Sequence, residues 1–381
     1  MTSAAAARSA VIADATLRRI SPGMWLGGSP LRLFRLSDRG DRVLAGLVES
    51  GSWHPTDDGE ERLRDRLLNA GAVHPAPRRV RGEGDEEDLG EVTVVIPVRD
   101  DAPGLAAVLG DLSGNLPGTA GVQSATRVKA VVVDDGSRDP GAVRSLAAAN
   151  GAVLVRHEQA RGPAAARNSG LAVVDTPVTA FVDADVRVPA RWLEPLLAHL
   201  EGRQVVAVAP RVRNTGGQGL LARYEEARGP LDLGAEPAIV RPRSRVPYVP
   251  SAALVVRTAG VRAVGGFDED LRFGEDVDLV WRLGEAGGAV RYEPAVVVGH
   301  RPRANLTGWL GQRVDYGSSA AELAVRHRGA SAPMVVSPWS ALVWTLASVG
   351  HPVPAVGVAA GSAAALARRL PRSAYAPRWL L

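Results

Sequence analysis

Cysteine is absent from the 381 residues. That removes disulfide frameworks, thiolate zinc sites and cysteine nucleophiles, so any metal must be held by oxygen or imidazole. Lysine is reduced to Lys129, and arginine supplies the rest of the basic charge. The formal net charge of +4 gives no nucleic-acid signal, and none is expected as a partner. Residues 1–10 hold no cationic stretch leading into an apolar run. No secretory signal is therefore expected, and the protein is expected in the cytoplasm.

What is present is enough hydrophobic material, 46% of the chain, to bury a sizeable core, at a length that suits one large domain plus a smaller one. Residues 1–74 form a unit of their own. Strand-like runs at 17–20, 24–26 and 31–36 are split by Pro-Gly and Gly-Gly turns. Two helices are predicted to follow, one opening at Ser37 or Asp38 and one beginning between Thr56 and Asp58 and stopping at Gly71. Residues 75–90 carry prolines, a basic cluster and then an acidic run, and read as a linker.

From 91 to 328 short apolar strands alternate with helical segments: 92–98 then 105–112, 128–134 then 143–149, 153–156 then 164–173. Further strands are expected at 178–182, 205–212, 253–256 and 296–298. This alternation predicts an α/β fold, a parallel sheet with helices on both faces and ligands at the carboxyl ends of the strands. Residues 329–381 are apolar and then basic. Arg301 onward holds nine arginines against Asp315 and Glu322, while Pro338, Gly350, Pro352 and Pro354 cut the apolar part into short pieces. A hairpin, an interfacial segment or an internal packing element fits better than a spanning helix, and an anionic membrane surface is a candidate partner.

Acidic motifs fall where such a sheet exposes them. Val131-Val132-Val133 runs into Asp134-Asp135-Gly136-Ser137, where a carboxylate can accept from a nucleobase or a ribose hydroxyl; an Asp-Gly turn with a helix cap is the plainer reading. Asp183-Ala184-Asp185 closes the strand at 178–182 and can aim oxygens at one hard cation such as Mg²⁺ or Mn²⁺. Between them, Arg161-Gly162-Pro163 opens a small-residue helix, and Arg161 or Arg167 could reach a base or a phosphate or else be solvated. Gly274-Glu275-Asp276-Val277-Asp278 opens another helix, whose dipole holds carboxylates ionised; Glu275 and Asp278 could equally be caps or ion-pair partners. His300 ends a strand and is a candidate metal ligand or a structural histidine.

Taken together, Ile96-Pro97-Val98, Asp134-Asp135-Gly136-Ser137, Ala165-Ala166-Arg167-Asn168, Asp183-Ala184-Asp185 and Gly274-Glu275-Asp276-Val277-Asp278-Leu279 resemble the successive motifs of inverting glycosyltransferase family 2. The resemblance implies a GT-A fold, a UDP-sugar donor and a divalent metal, Mn²⁺ or Mg²⁺. It places Pro97, Asp100, Asp134, Asp135, Arg161 and Asp183 at the nucleotide, Asp185 and His300 at the metal, and Asp276 as catalytic base. Gln312-Arg313-Val314-Asp315-Tyr316 departs from the Gln-x-x-Arg-Trp of the processive synthases, against a long-polymer product.

The fused N-terminal module and the apolar tail are similar to the mycofactocin-system branch of that family, and the module resembles a small winged-helix peptide-binding domain. The resemblance implies a small peptide-derived acceptor and glucose added more than once, while the apolar and basic tail by its composition points to peripheral attachment at the inner face of the cell membrane. Competing readings are a transferase acting on a polyprenyl phosphate or cell-envelope glycan, and a non-catalytic binding protein. A dehydrogenase would need more than the loose Gly217-Gln218-Gly219-Leu220-Leu221-Ala222 match, and a nucleotidyltransferase would need a Gly-rich loop with lysine where Arg99-Asp100-Asp101 stands.

Overall fold

The structure, a computed structural model, describes residues 10–76, 91–113, 127–200, 204–216, 219–301, 306–328, 330 and 337–369. Most of the expected linker, Gly217-Gln218, Arg303, Met334 and the final residues 370–381 lie outside the described residues.

The N-terminal module contains β1 (Val11–Ala13), β2 (Arg18–Ser21), β3 (Met24–Gly27), β4 (Arg32–Arg35), α1 (Asp38–Ser50), α2 (Asp58–Ala70) and β5 (Val73–Pro75). Strands β2, β3 and β4 form an antiparallel sheet, and β1 pairs with β5. Ser37 caps α1 by accepting from Gly40 N, and Asp57 caps α2 by accepting from the Gly59 and Glu60 amides. Each cap satisfies orphan donors and contributes about 1 kcal/mol. Trp25, Leu44, Leu47 and Leu67 fill the small core, and the Trp25 indole donates to Asp41 at 2.7 Å.

The larger domain runs through β6 (Glu91–Val98), α3 (Ala102–Leu112), β7 (Arg127–Asp135), α4 (Pro140–Ala149), β8 (Val153–His157), α5 (Pro163–Ala172), β9 (Val178–Val182) and β10 (Val186–Arg187). It continues through α6 (Leu193–Leu200), β11 (Val205–Asn214), α7 (Gly219–Arg228), β12 (Ala238–Ile239), β13 (Ala253–Arg257), α8 (Thr258–Ala263), α9 (Glu275–Glu285) and β14 (Ala289–His300). The sheet order is β8-β7-β6-β9-β13-β11-β14-β10, with β12 on β14. Pairs β8-β7, β7-β6, β6-β9 and β11-β14 are parallel, whereas β13 is antiparallel to both β9 and β11. The sheet is thus mostly parallel. One apolar layer on it is built from α3, α4 and α6, the other from α5, α8 and α9, so helices cover both faces as the alternation predicts.

Strand β6 has β7 on one side and β9 on the other. The chain moves outward from β6 to β8 and then returns to the far side, which opens a crevice at the carboxyl ends of β6 and β9. Open α/β sheets bind ligands at such a switch point.

Beyond the sheet lie α10 (Leu306–Arg326), α11 (Pro338–Ser348) and α12 (Pro352–Arg369). Helices α11 and α12 pack on one another as a hairpin that leaves Trp339, Trp344, Val353 and Val356 exposed. Among the described residues no helix is long and apolar enough to cross a membrane.

Candidate active site

Sheet register sets the first carboxylates. Asp134 stands opposite Arg156 on β8 and Asp135 opposite His157. Asp134 is fully buried, with one oxygen accepting from Ser137 N at 2.9 Å and the other held by Arg156. Its charge orders the turn that follows. Asp135 accepts from Arg161 N at 2.8 Å and Gly162 N at 2.9 Å, and His157 Nδ1 lies 2.7 Å away. Burial opposes its ionisation, but these partners hold the carboxyl below its ordinary range. Gly136 makes the turn possible: its φ is +74°, and a Cβ there would stand 2.7 Å from Ala160 N.

The end of β6 is stitched to the same turn. Asp100 N donates to Ser137 Oγ at 3.0 Å, and Asp100 accepts from Arg138 N at 2.9 Å, which lowers its pKa. Asp100, Asp134, Asp135 and Arg161 therefore belong to one cluster at the carboxyl ends of β6 and β7, next to the half-buried Pro97. The Arg161 side chain is turned to Glu269, 2.8 Å away.

Arg167 on α5 is 4% exposed and joins the second acidic motif to the third. One Nη donates to Asp183 at 2.7 Å and the other to Glu275 at 2.8 Å, with the guanidinium over the Phe267 ring. The paired carboxylates hold it protonated despite its burial. Asp183 is pushed upward by burial, against the pull of Arg167.

Gly274, at φ +80°, turns the chain into α9, whose first turn carries Glu275, Asp276 and Asp278. Asp278 pairs with Arg282 at 2.6 Å and His327 at 2.9 Å, an ion-pair role. Asp276 differs. It has no cationic side chain in direct contact among the described residues and accepts only backbone bonds, from Val277 N at 2.8 Å and Ser251 N at 3.3 Å. Burial and then the Glu275 charge raise it to about 7, with Arg167 and the two amides opposing. Burial and the Asp276 charge also raise the nearby Tyr248 hydroxyl. A carboxyl poised near neutrality can take a proton from a hydroxyl under ordinary conditions.

Strand β14 delivers His300 opposite Asn214 on β11 and beside β10. Asn214 donates its Nδ2 to Glu225 Oε2 at 3.1 Å and to Glu225 O at 3.2 Å, which fixes the amide so that Oδ1 faces His300 Nδ1 at 2.9 Å. The imidazole then carries its proton on Nδ1. Its Nε2 lies 3.4 Å from Asp185 Oδ2. A carboxylate and an imidazole held from behind are donors that would suit Mn²⁺ or Mg²⁺. Among the described residues no group of three or more acidic or histidine side chains converges on a metal position.

Residues 93–259 match the sequence profile described as "Glycosyl transferase family 2". The chain is 42% identical over 344 residues to the "Pre-mycofactocin glycosyltransferase" of Mycobacterium tuberculosis, covering 90% of this chain and 68% of that protein. The chain belongs to glycosyl transferase family 2. It is also 28% identical over 218 residues to "Glycosyltransferase AglE" of Haloferax volcanii, covering 56% of this chain and 67% of that one. Among solved structures, "Mannosyltransferase PcManGT from Pyrobaculum calidifontis in complex with GDP-Man and Mn2+" is similar at 23% identity and a TM-score of 0.48, covering 83% of this chain and 84% of that chain. The fold is of the GT-A type, a mostly parallel α/β sheet, and the small N-terminal domain before it combines sheets and helices.

Within this family 2 enzyme Arg167 joins Asp183 to Glu275 and feels the charge of Asp276, while Asp185 and His300 face one another and act on Asp183. Asp134 and Asp135 at the end of β7 are grouped with Asp100 and Arg161 in the adjoining loops. Sequence reasoning did not single out Asn214, Arg156, Tyr248 or Ser251. Asn214 left a readable trace, because it ends β11 as His300 ends β14. Ser251 and Tyr248 lie in a loop with no periodic signal.

Proposed function

We propose that the protein transfers glucose from UDP-glucose to a hydroxyl of the peptide-derived mycofactocin precursor with inversion, and extends it into a short β-linked oligosaccharide. One observation carries the chemistry: α9 presents Asp276, poised near pH 7, beside an arginine that is itself bonded to Asp183 at the end of β9. The acceptor reading is supported by the 42% identity to a protein named for that precursor.

In this reading Pro97, Asp100, Asp135 and Arg161 line the nucleoside crevice, with Asp134 holding its floor. Asp183 balances Arg167 at the diphosphate side, and Asp185 and His300 are the protein ligands of Mn²⁺ or Mg²⁺. A bound divalent cation would neutralise charge on the departing diphosphate. Asp276 removes the proton from the acceptor hydroxyl, which attacks the anomeric carbon opposite the leaving UDP. With one base and no nucleophile proposed, an α-linked donor gives a β-linked product.

The exposed tryptophans and valines of the α11–α12 hairpin support peripheral attachment to an anionic membrane surface on the cytoplasmic side. The enzyme reading is tested by incubating UDP-glucose, Mn²⁺ or Mg²⁺ and the acceptor. UDP release that depends on acceptor, with a large anomeric proton coupling in the product, is expected. Binding without release, or an α-linked product, overturns it.

A further inference from the structure

We infer that the seam between the N-terminal module and the catalytic domain binds an oxyanion, a phosphate or a carboxylate, gripped by Arg241 and Arg291 with Arg32 at its rim. The seam is built from the C-terminal end of α2, strands β12 and β14, and the turn of residues 241–246. Arg291 sits on β14 opposite Ile239 of β12 and reaches across to donate to Leu68 O at 3.3 Å. From the other side Arg245 N donates to Ser29 Oγ at 2.8 Å, and its guanidinium to Asp14 Oδ2 at 2.8 Å.

Arg291 is only 3% exposed, yet its Nε and Nη1 have no hydrogen-bond partner among the described residues. Carboxylates near it are already committed. Asp14 is shared by Arg245 and His74, the latter at 2.7 Å. Glu293 receives Ala295 N on one oxygen at 2.9 Å and faces His199 Nε2 on the other at 2.9 Å. The guanidiniums also feel one another: burial and then the Arg241 charge lower Arg291 to about 10 with the Glu293 charge opposing, and burial and Arg32 lower Arg241. Water could satisfy the free N–H groups but would bring no negative charge to join Glu293 against three guanidiniums. An oxyanion does both, through charge-assisted bonds that guanidinium forks favour.

The test is independent of sugar transfer. Thermal unfolding is followed while inorganic phosphate replaces chloride at constant ionic strength, with excess UDP and Mn²⁺ present so that the nucleotide crevice is occupied. The wild-type protein is expected to show a saturable stabilisation. Arg241→Gln and Arg32→Gln, which avoid the buried Arg291, are expected to weaken it with UDP affinity unchanged. For Arg241→Gln the loss is about tenfold, as expected for one missing charge-assisted bond. A blocked tetraglutamate peptide then separates the sources: displacement of phosphate assigns the site to a carboxylate-bearing chain, and failure to displace assigns it to a phosphoryl group. No saturable stabilisation, or the same stabilisation in both variants, overturns the proposal.

Discussion

Replacing Asp276 by Asn keeps the side chain's size and one acceptor oxygen but removes its capacity to take a proton. Its folded pKa of about 7 lies above the ordinary 3.8. The sign of the linkage follows: the fold favours the protonated form, so stability is fully present below 3.8 and is lost as pH rises through about 7. Above that pH the ionised carboxylate costs the fold on the order of a few kcal/mol, with roughly 4 as the ceiling at 1.36 kcal/mol per pH unit. Asp276→Asn should therefore unfold at a higher temperature than wild type at pH 8 and at nearly the same temperature at pH 4. Turnover should move the other way, falling by roughly 10² to 10⁴. Wild-type kcat/KM should rise with pH up to about 7 and then level, whereas the variant's residual activity should lose that limb. Calorimetric scans and initial rates from pH 5 to pH 9 measure both. A folded variant with near wild-type turnover would refute the base assignment, and a variant less stable at pH 8 would refute the electrostatic reasoning.

Asp185→Ala should leave a cooperative fold and remove the metal-dependent part of UDP-sugar affinity, read by calorimetry with and without Mn²⁺; unchanged affinity would take Asp185 out of the site. Arg167→Gln strands Asp183 and Glu275 without their shared cation, so unfolding at pH 7 should be easier by about 3–5 kcal/mol, with part of the loss recovered at low pH. Denaturant titration at the two pH values checks this, and a loss of less than about 1 kcal/mol would show that the bridge is dispensable. Ending the chain after Arg328 should abolish binding to anionic vesicles in a sedimentation assay; equal binding before and after would dismiss the membrane reading.

Much of the fold was legible because buried parallel strands are continuous apolar runs, and 92–98, 128–134 and 178–182 are such runs. Strand β14 was read only at 296–298, yet it spans Ala289–His300. Pro294 interrupts the pattern where the pairing with β11 slips between Pro210 and Arg211, a bulge that hides one strand as two. The reversed direction of β13 is invisible in composition, since an antiparallel strand buried on both faces reads like its parallel neighbours. Strands β10 and β12, at two residues each, are too short to show a period. In the site, the carboxylates announced themselves by closing strands or opening a helix. Arg167 was legible as a residue that reaches a base or a phosphate or is solvated, but not as the buried bridge it is, because its partner Glu275 is 108 residues away and only the folded chain brings them together.

Those same registers fix what the N-terminal module can and cannot do. On β11, Val208 lies opposite Arg291 at the seam and Asn214 opposite His300 at the metal pair. Six steps of strand at about 3.3 Å each put the seam about 20 Å from the reacting centre. Contacts made there cannot distinguish the transition state from the ground state, so they contribute uniform binding. The seam is also largely polar: Arg245 meets Asp14 and Ser29, and Arg291 meets Leu68 O. Cutting the chain before Glu91 would expose the buried Ile239 but hydrate Arg291, whose free N–H groups are otherwise a cost. A chain beginning at Glu91 should therefore stay folded, keep the UDP-sugar affinity of the full chain, and transfer to the authentic acceptor with a raised KM and nearly unchanged kcat. Initial rates over a range of acceptor concentrations decide it. A fall in kcat at constant KM would mean that the module shapes the catalytic crevice itself, and the segment from Arg241 to Ser251, which runs from the seam to the amide bonded to Asp276, would be the route.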